Sequence, residues 1–128
     1  MPPRVPRILL IDDDPVVRCS AAEVLTAEGY VVMEASGGAE GIGMALRWPP
    51  DLVLCDLLMP GVDGFSVLAR LRAEPVTATV PFVFITSSTD LGDSRVGYML
   101  GADDYIHKPL VGDDLLALVT RRLGRTAA

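Results

Sequence analysis

The amino-acid sequence predicts an α/β fold: a doubly wound five-stranded parallel sheet, strand order 2-1-3-4-5, in a three-layer α/β/α sandwich. Three observations carry that expectation. Short continuous apolar runs recur five times along the chain, as suits strands buried on both faces. Segments of helical periodicity separate them, so the strands are parallel with right-handed crossovers. Five such units are too few for a closed barrel, which takes about eight, so the sheet is open.

The elements follow in order. Ile8-Leu9-Leu10-Ile11 is the first strand. Asp14-Pro15 then marks a helix start, with Asp14 as N-cap and Pro15 at the first helical position. Val17, Ala21, Val24 and Leu25 continue at helical spacing until Gly29. Tyr30 to Met33 is the second strand. Ala39, Ile42 and Leu46 mark the second helix, closed by Pro49-Pro50. Leu52 to Cys55 is the third strand, and Phe65, Leu68 and Leu71 mark the third helix. Phe82 to Ile85 is the fourth strand. Val96 and Leu100 belong to a fourth helix, weakened by Gly97. Tyr105-Ile106-His107 is the fifth strand, and Leu115, Leu116, Val119 and Leu123 carry the fifth helix.

With 128 residues, half of them apolar, there is room for one domain and one core. Its expected extent is residues 7–123, with residues 1–6 as a flexible N-terminal tail and 124–128 as a C-terminal tail or the start of a linker. No run approaches the roughly 18 apolar residues of a membrane span. No signal-peptide pattern follows the basic, proline-rich start, so a cytoplasmic location and no membrane contact are expected. The net charge of −6 argues against direct nucleic-acid binding, which needs clustered Lys and Arg. Cys19 and Cys55 lack CxxC spacing and read as free buried thiols. Gly41-Ile42-Gly43 imitates part of a GxGxxG loop, but Leu46 stands at the last glycine and the segment is helical.

What ends each apolar run is more telling. The first ends in Asp12-Asp13, the third in Asp56, the fourth in Thr86 and the fifth in Lys108-Pro109. Ligands of open α/β sheets bind beyond the carboxyl ends of the strands, where strand order reverses. Here that point lies between the first and third strands, so Asp12, Asp13 and Asp56 converge with Thr86 and Lys108 beside them. Each carboxylate pair costs about 4 kcal/mol at about 4 Å and an effective dielectric near 20. A hard cation with oxygen ligands removes that penalty, and Mg²⁺ suits a few carboxylates plus waters and a phosphate oxygen. A carboxylate is also a competent nucleophile for phosphoryl transfer.

In these residues the chain resembles the receiver domain of two-component response regulators, over about residues 7–123. The matching motifs are Ile11-Asp12-Asp13, Asp56-Leu57-Leu58-Met59-Pro60 with Asp63-Gly64, Ile85-Thr86-Ser87, and Gly101-Ala102-Asp103-Asp104-Tyr105 leading to Lys108-Pro109. The resemblance implies the flavodoxin-like receiver fold and a phosphorelay function, with Asp56 accepting a phosphoryl group from a sensor histidine kinase or phosphotransfer protein. It implies that Asp13 and Asp56 bind Mg²⁺ (or Mn²⁺) directly, Asp12 mostly through water, and Leu58 through its backbone carbonyl. Lys108 would pair with Asp56 and the phosphoryl group. Thr86 would move toward that group, and Tyr105 would turn into the space vacated. A cis peptide bond before Pro109 is implied as well. Asp63, Gly64, Asp103 and Asp104 read as structural, and His107 as a packing or surface residue.

The expected output is a switch on the face of the fourth helix, fifth strand and fifth helix, acting on an output domain or downstream protein. Gly92, Gly97 and Gly101 punctuate the fourth helix, and surplus leucines on the fifth suggest a homodimer through the same face. Val111 stands where the family often has a capping Asp, so the fifth helix is expected to start near Gly112 or Asp113. Leu58 and Ser88 occupy positions that tune the aspartyl-phosphate lifetime. The module is expected to catalyse only its own phosphorylation and dephosphorylation. Two rivals are an unphosphorylated interaction domain and an aspartyl phosphatase. Every expected acid and the lysine are present against the first, and Leu58 replaces the second acid that the other needs.

Overall fold

The structure, a computed structural model, describes residues 4–87 and 101–124. Its elements run β1 (Arg7–Ile11), α1 (Pro15–Ala27), β2 (Val31–Ala35), α2 (Gly38–Arg47), β3 (Leu52–Asp56), α3 (Gly64–Ala73), β4 (Phe82–Thr86), β5 (Asp104–His107) and α4 (Gly112–Leu123). The helix expected around Val96 and Leu100, with Gly92 and Gly97, lies outside the described residues, as does Ser88. The helix α4 is therefore the one expected fifth. All pairings are parallel, and the strand order is β2-β1-β3-β4-β5.

Alternation along the strands divides the core in two. Ile8 and Leu10 of β1 join Leu52, Leu54, Val83 and Ile85 beneath α1 and α4. Leu9 and Ile11 point the other way, joining Val53, Cys55, Phe82 and Phe84 beneath α2 and α3. Both faces are covered, which is why the strands read as unbroken apolar runs. Burying one such Leu or Ile contributes about 1.5–3 kcal/mol, against at most about 1 kcal/mol for an exposed ion pair. The two apolar layers thus hold the fold, and the ion pairs adjust it.

Local chemistry sets the element ends. Asp14 caps α1, its Oδ1 accepting from Val16 N at 2.9 Å, and Pro15 opens the helix. At α4 the capping position is Val111, which offers no side-chain acceptor, and the helix begins at Gly112. Asp113 and Asp114 in its first turn and Arg121 and Arg122 in its last complement the helix dipole instead. Ahead of β1, Arg4 pairs with Asp51 at 2.6 Å, and Pro6 O accepts from Val31 N.

Two expectations need correction, in the second strand and at Cys19. The second strand starts at Val31 and runs to Ala35, in register from Arg7↔Val31 to Ile11↔Ala35. Tyr30 precedes it, giving its N–H to Leu25 O at the end of α1 while its ring enters the core. In α2 the fully buried residues are Gly38, Gly41 and Ala45, while Ala39 is exposed and Ile42 and Leu46 are half-buried. The helix sits so close to β1 that a Cβ on Gly41 would lie 2.4 Å from Ile11 Cδ1. Small residues, not bulky ones, therefore face the sheet. Cys55 is buried, but Cys19 lies on the solvent side of α1 and is exposed.

Candidate phosphoacceptor and metal site

The strand register brings the acids together. Ile11 pairs with Cys55, so Asp12 and Asp56 follow side by side at the carboxyl ends of β1 and β3. Asp56 pairs with Ile85, placing Thr86 one step further along β4. Thr86 pairs with His107, and Lys108 comes next. Lys108 N donates to Thr86 O at 2.8 Å, continuing the ladder past β5, and the Lys108–Pro109 bond is cis.

One carboxylate oxygen from each of Asp12, Asp13 and Asp56 lies within 4.8 Å of the other two. Asp12 and Asp56 are buried and Asp13 is exposed. Lys108 Nζ stands 3.1 Å from Asp56 Oδ2 and 3.1 Å from Asp12 Oδ2. Its hydrogen bonds go to Asp56 Oδ2 and, at 3.5 Å, to Asp12 Oδ1. Asp12 Oδ2 is near the ammonium but accepts no hydrogen bond. Asp12 Oδ1 also accepts from Asp14 N at 2.9 Å, and Asp56 Oδ1 from Leu58 N at 3.4 Å.

Electrostatics match this crowding. Burial, then the neighbouring Asp12, pushes the Asp56 carboxyl up to about 6, against the pull of Lys108 and the Leu58 N–H. Burial alone would lower Lys108, but its hydrogen bonds to Asp12 and Asp56 outweigh it and hold the ammonium above its usual range. Asp56 is thus ionised at neutral pH only at a cost, and one lysine does not cancel that cost. An all-oxygen donor set with an unbonded buried carboxylate oxygen fits a hard divalent cation.

The other expected residues take these places. Thr86 is buried at the end of β4, next along the sheet from Asp56. The Leu58 side chain is 61% exposed, so only its backbone faces the acids. Tyr105 is half-buried against the α2–α3 layer, edge-on to exposed His107 at 5.3 Å. Asp63 caps α3 through Ser66 N at 2.9 Å. Asp103 Oδ2 accepts from Phe82 N at 2.7 Å. Asp104 is paired with Arg121 and Arg122; burial would raise its carboxyl, but the Arg122 and Tyr105 hydrogen bonds and Arg121 hold it low.

Two residues escape the sequence reading. Arg18 of α1 reaches back to Asp12 O at 2.7 Å while its Nε lies 3.4 Å from Glu34 Oε1. Its signal is slight: four residues after an N-cap, on the turn nearest the strand-end acids. Arg72 of α3 binds Val80 O, Gly101 O and Asp103, and nothing in local spacing announces that.

Known proteins agree with this geometry. The family model described as "response regulator receiver domain" matches residues 8–120. The DNA-binding dual master transcriptional regulator RpaA of Synechocystis is 41% identical over 122 residues, which is 95% of this chain and 51% of RpaA. The chain spans about half the length of the first curated relatives it matches. The chemotaxis protein CheY4 of Vibrio cholerae superposes with TM-score 0.90 at 26% identity, over 94% of this chain and all of CheY4. The receiver domain of the sensor histidine kinase PA1611 of Pseudomonas aeruginosa, solved with magnesium coordinated in its active-site cleft, gives TM-score 0.87 at 29% identity, over 94% and 99% of the two chains. With the strand order, the acid cluster and the family match in agreement, this chain belongs to the receiver domains of two-component response regulators.

Proposed function

We propose that this receiver accepts a phosphoryl group on Asp56 from the phosphohistidine of a sensor histidine kinase or phosphotransfer protein. One observation carries the reading. Three carboxylates from two adjacent strand ends crowd within 4.8 Å, and a single lysine reaches two of them. Charge gathered at such cost suits a site that binds a cation and presents a nucleophile.

Asp12, Asp13, Asp56 and the Leu58 carbonyl would hold Mg²⁺, or Mn²⁺ in its place. The bound ion would neutralise charge on the phosphoryl oxygens. Asp56 supplies the attacking oxygen: a new O–P bond forms as the P–N bond to the donor imidazole breaks. The bond pair stays with the imidazole nitrogen, which then takes a proton from solvent. Lys108 holds Asp56 in its charged form beforehand and pairs with the phosphoryl oxygens afterwards. The Thr86 hydroxyl turns toward those oxygens, and Tyr105 follows into the vacated space. The face made by the expected fourth helix, β5 and α4 then changes its partner, an output domain, a downstream protein or a second copy of this chain. Hydrolysis of the acyl phosphate resets the switch, so the domain is a signalling module with no outside substrate. A cytoplasmic site of action fits this donor; no helix among the described residues is long and apolar enough to cross a membrane.

Incubation with acetyl phosphate and Mg²⁺ followed by intact-mass measurement tests this. The expected product is a single phosphoryl adduct, absent in EDTA and absent in Asp56→Asn. An unmodified wild type rejects the reading in favour of an interaction domain, and repeated turnover of a phosphoester rejects it in favour of a phosphatase.

A further inference from the structure

We infer that Arg18 is a positioning residue for the cation site, fixing the Asp12–Asp13 peptide so that both carboxylates face one point. The inference rests on the proposed cation binding by Asp12, Asp13 and Asp56. Asp12 is anchored at every other polar atom of its backbone and at one side-chain oxygen. Its N–H donates to Ala35 O at 3.1 Å, and its Oδ1 accepts from Asp14 N at 2.9 Å. The carbonyl is the remaining handle, and Arg18 Nη1 holds it at 2.7 Å.

That carbonyl belongs to the peptide leading into Asp13. Fixing a planar peptide fixes the direction in which the next Cα departs. Asp13 needs such help: it is exposed, and no hydrogen bond to its carboxylate is found among the described residues. Without the Arg18 contact the Asp13 carboxylate is free to swing into solvent, and an entropic cost returns each time it joins a ligand set. A guanidinium suits the task because it can hydrogen-bond the carbonyl through one nitrogen and face a carboxylate with another. Arg18 Nε forms an ion pair with Glu34 Oε1 at 3.4 Å.

Glu34 matters for a second reason. An uncompensated guanidinium behind Asp12 would repel a cation in front of it. Paired with Glu34, Arg18 reaches the site as a nearly neutral dipole, able to orient Asp12 without opposing the ion. Arg18 has 19% of its side chain exposed and Glu34 41%, so solvent screens part of this balance.

The test is calorimetric Mg²⁺ titration of the intact chain, with Mn²⁺ binding followed by electron paramagnetic resonance as a second readout. Arg18→Met keeps the apolar stem and removes the fork. Its expected effect is about a tenfold or greater loss of Mg²⁺ affinity, the usual result of removing a partner that orients a ligand. The melting temperature in EDTA should fall by a few degrees, as for one lost hydrogen bond to a charged donor, so affinity is measured well below the transition. The acetyl phosphate reaction should approach the wild-type rate once Mg²⁺ is saturating. Glu34→Gln leaves Arg18 in place but unbalanced, and weaker Mg²⁺ binding is expected there too. Wild type that binds no Mg²⁺ overturns the proposed function itself. Wild type that binds, with Arg18→Met and Glu34→Gln both within twofold of it, overturns the role of Arg18 alone.

Discussion

Lys108 Nζ lies 3.1 Å from Asp56 Oδ2, although β5 and β3 are separated in the sheet by β4. Lys108 N donates to Thr86 O at 2.8 Å beside β4, and the long lysine side chain spans the remaining distance to the acids. Removing it leaves Asp12 and Asp56 facing each other with no counter-charge. Lys108→Met is expected to cost about 1–3 kcal/mol of stability in EDTA, the range for losing a hydrogen bond to a charged group. The loss should shrink in excess Mg²⁺, where a cation replaces the ammonium and binds only the folded form. Urea denaturation under both conditions measures this; an equal loss in the two would show that Lys108 does not share the site with the ion.

The raised carboxyl of Asp56 gives a pH dependence with a definite sign. In the fold it takes up its proton near 6, whereas the unperturbed value is 3.8. The folded state therefore binds that proton more tightly than the unfolded chain. This group's stabilisation is complete below about 3.8 and fades as pH rises through about 6. Melting curves in EDTA should show wild type gaining on Asp56→Asn as pH falls from neutral, and Asp56→Asn the more stable at neutral pH. Cation binding should run the other way, because proton and metal compete for the same carboxylate: Mg²⁺ affinity is expected to fall as pH drops through about 6. A difference in melting temperature that stays flat with pH would sink the burial argument.

These acids were legible in the sequence because each ends an apolar run that is buried on both faces, where an Asp has no packing role. Asp14-Pro15 and Val111 were legible because capping is a local affair of a few residues. The buried face of α2 was not. A periodicity search weights bulk, and here proximity to β1 selects Gly38, Gly41 and Ala45 over their larger neighbours. Arg18 and Arg72 were hidden for another reason. Arginines on helices usually point to solvent, and these two instead bind backbone carbonyls of Asp12 and Gly101. Contacts to a backbone leave no trace in residue type at the partner position.

Asp103 illustrates a carboxylate whose work is confined to stability. Its Oδ2 accepts from Phe82 N at 2.7 Å and from Arg72 Nη2 at 3.2 Å, at the amino ends of β4 and β5. Asp56 lies at the opposite, carboxyl ends of the strands. Asp103→Ala leaves a part-buried N–H without its acceptor, and a loss of about 1–3 kcal/mol is expected. Asp103→Asn keeps an acceptor oxygen and should recover much of it. Mg²⁺ affinity should match wild type in both, so a stability curve and a calorimetric titration together separate this Asp from Asp12, Asp13 and Asp56.

Gly64 brings α3 into close approach with β3 next to Asp56. Its N–H donates to Leu57 O at 2.9 Å, and an added Cβ would lie 2.5 Å from Asp56 O and 2.9 Å from Leu57 Cα. Both are backbone atoms, so neither can step aside by rotating a side chain. Gly64→Ala must push α3 away from β3 or displace the end of β3 with Asp56 on it. A cost of about 2–3 kcal/mol is expected, as for overpacking a rigid site, along with slower phosphorylation by acetyl phosphate. Gly43 supplies the contrast. It sits inside α2 with no heavy atom within 4 Å of an added Cβ, so Gly43→Ala meets no clash and gains helix propensity. That substitution is expected to stabilise the domain by about 0.5–1 kcal/mol and leave the phosphorylation rate unchanged. Chemical denaturation of the two variants side by side distinguishes steric approach from backbone freedom as the reason each glycine is there; equal shifts of the same sign would refute the assignment for Gly64.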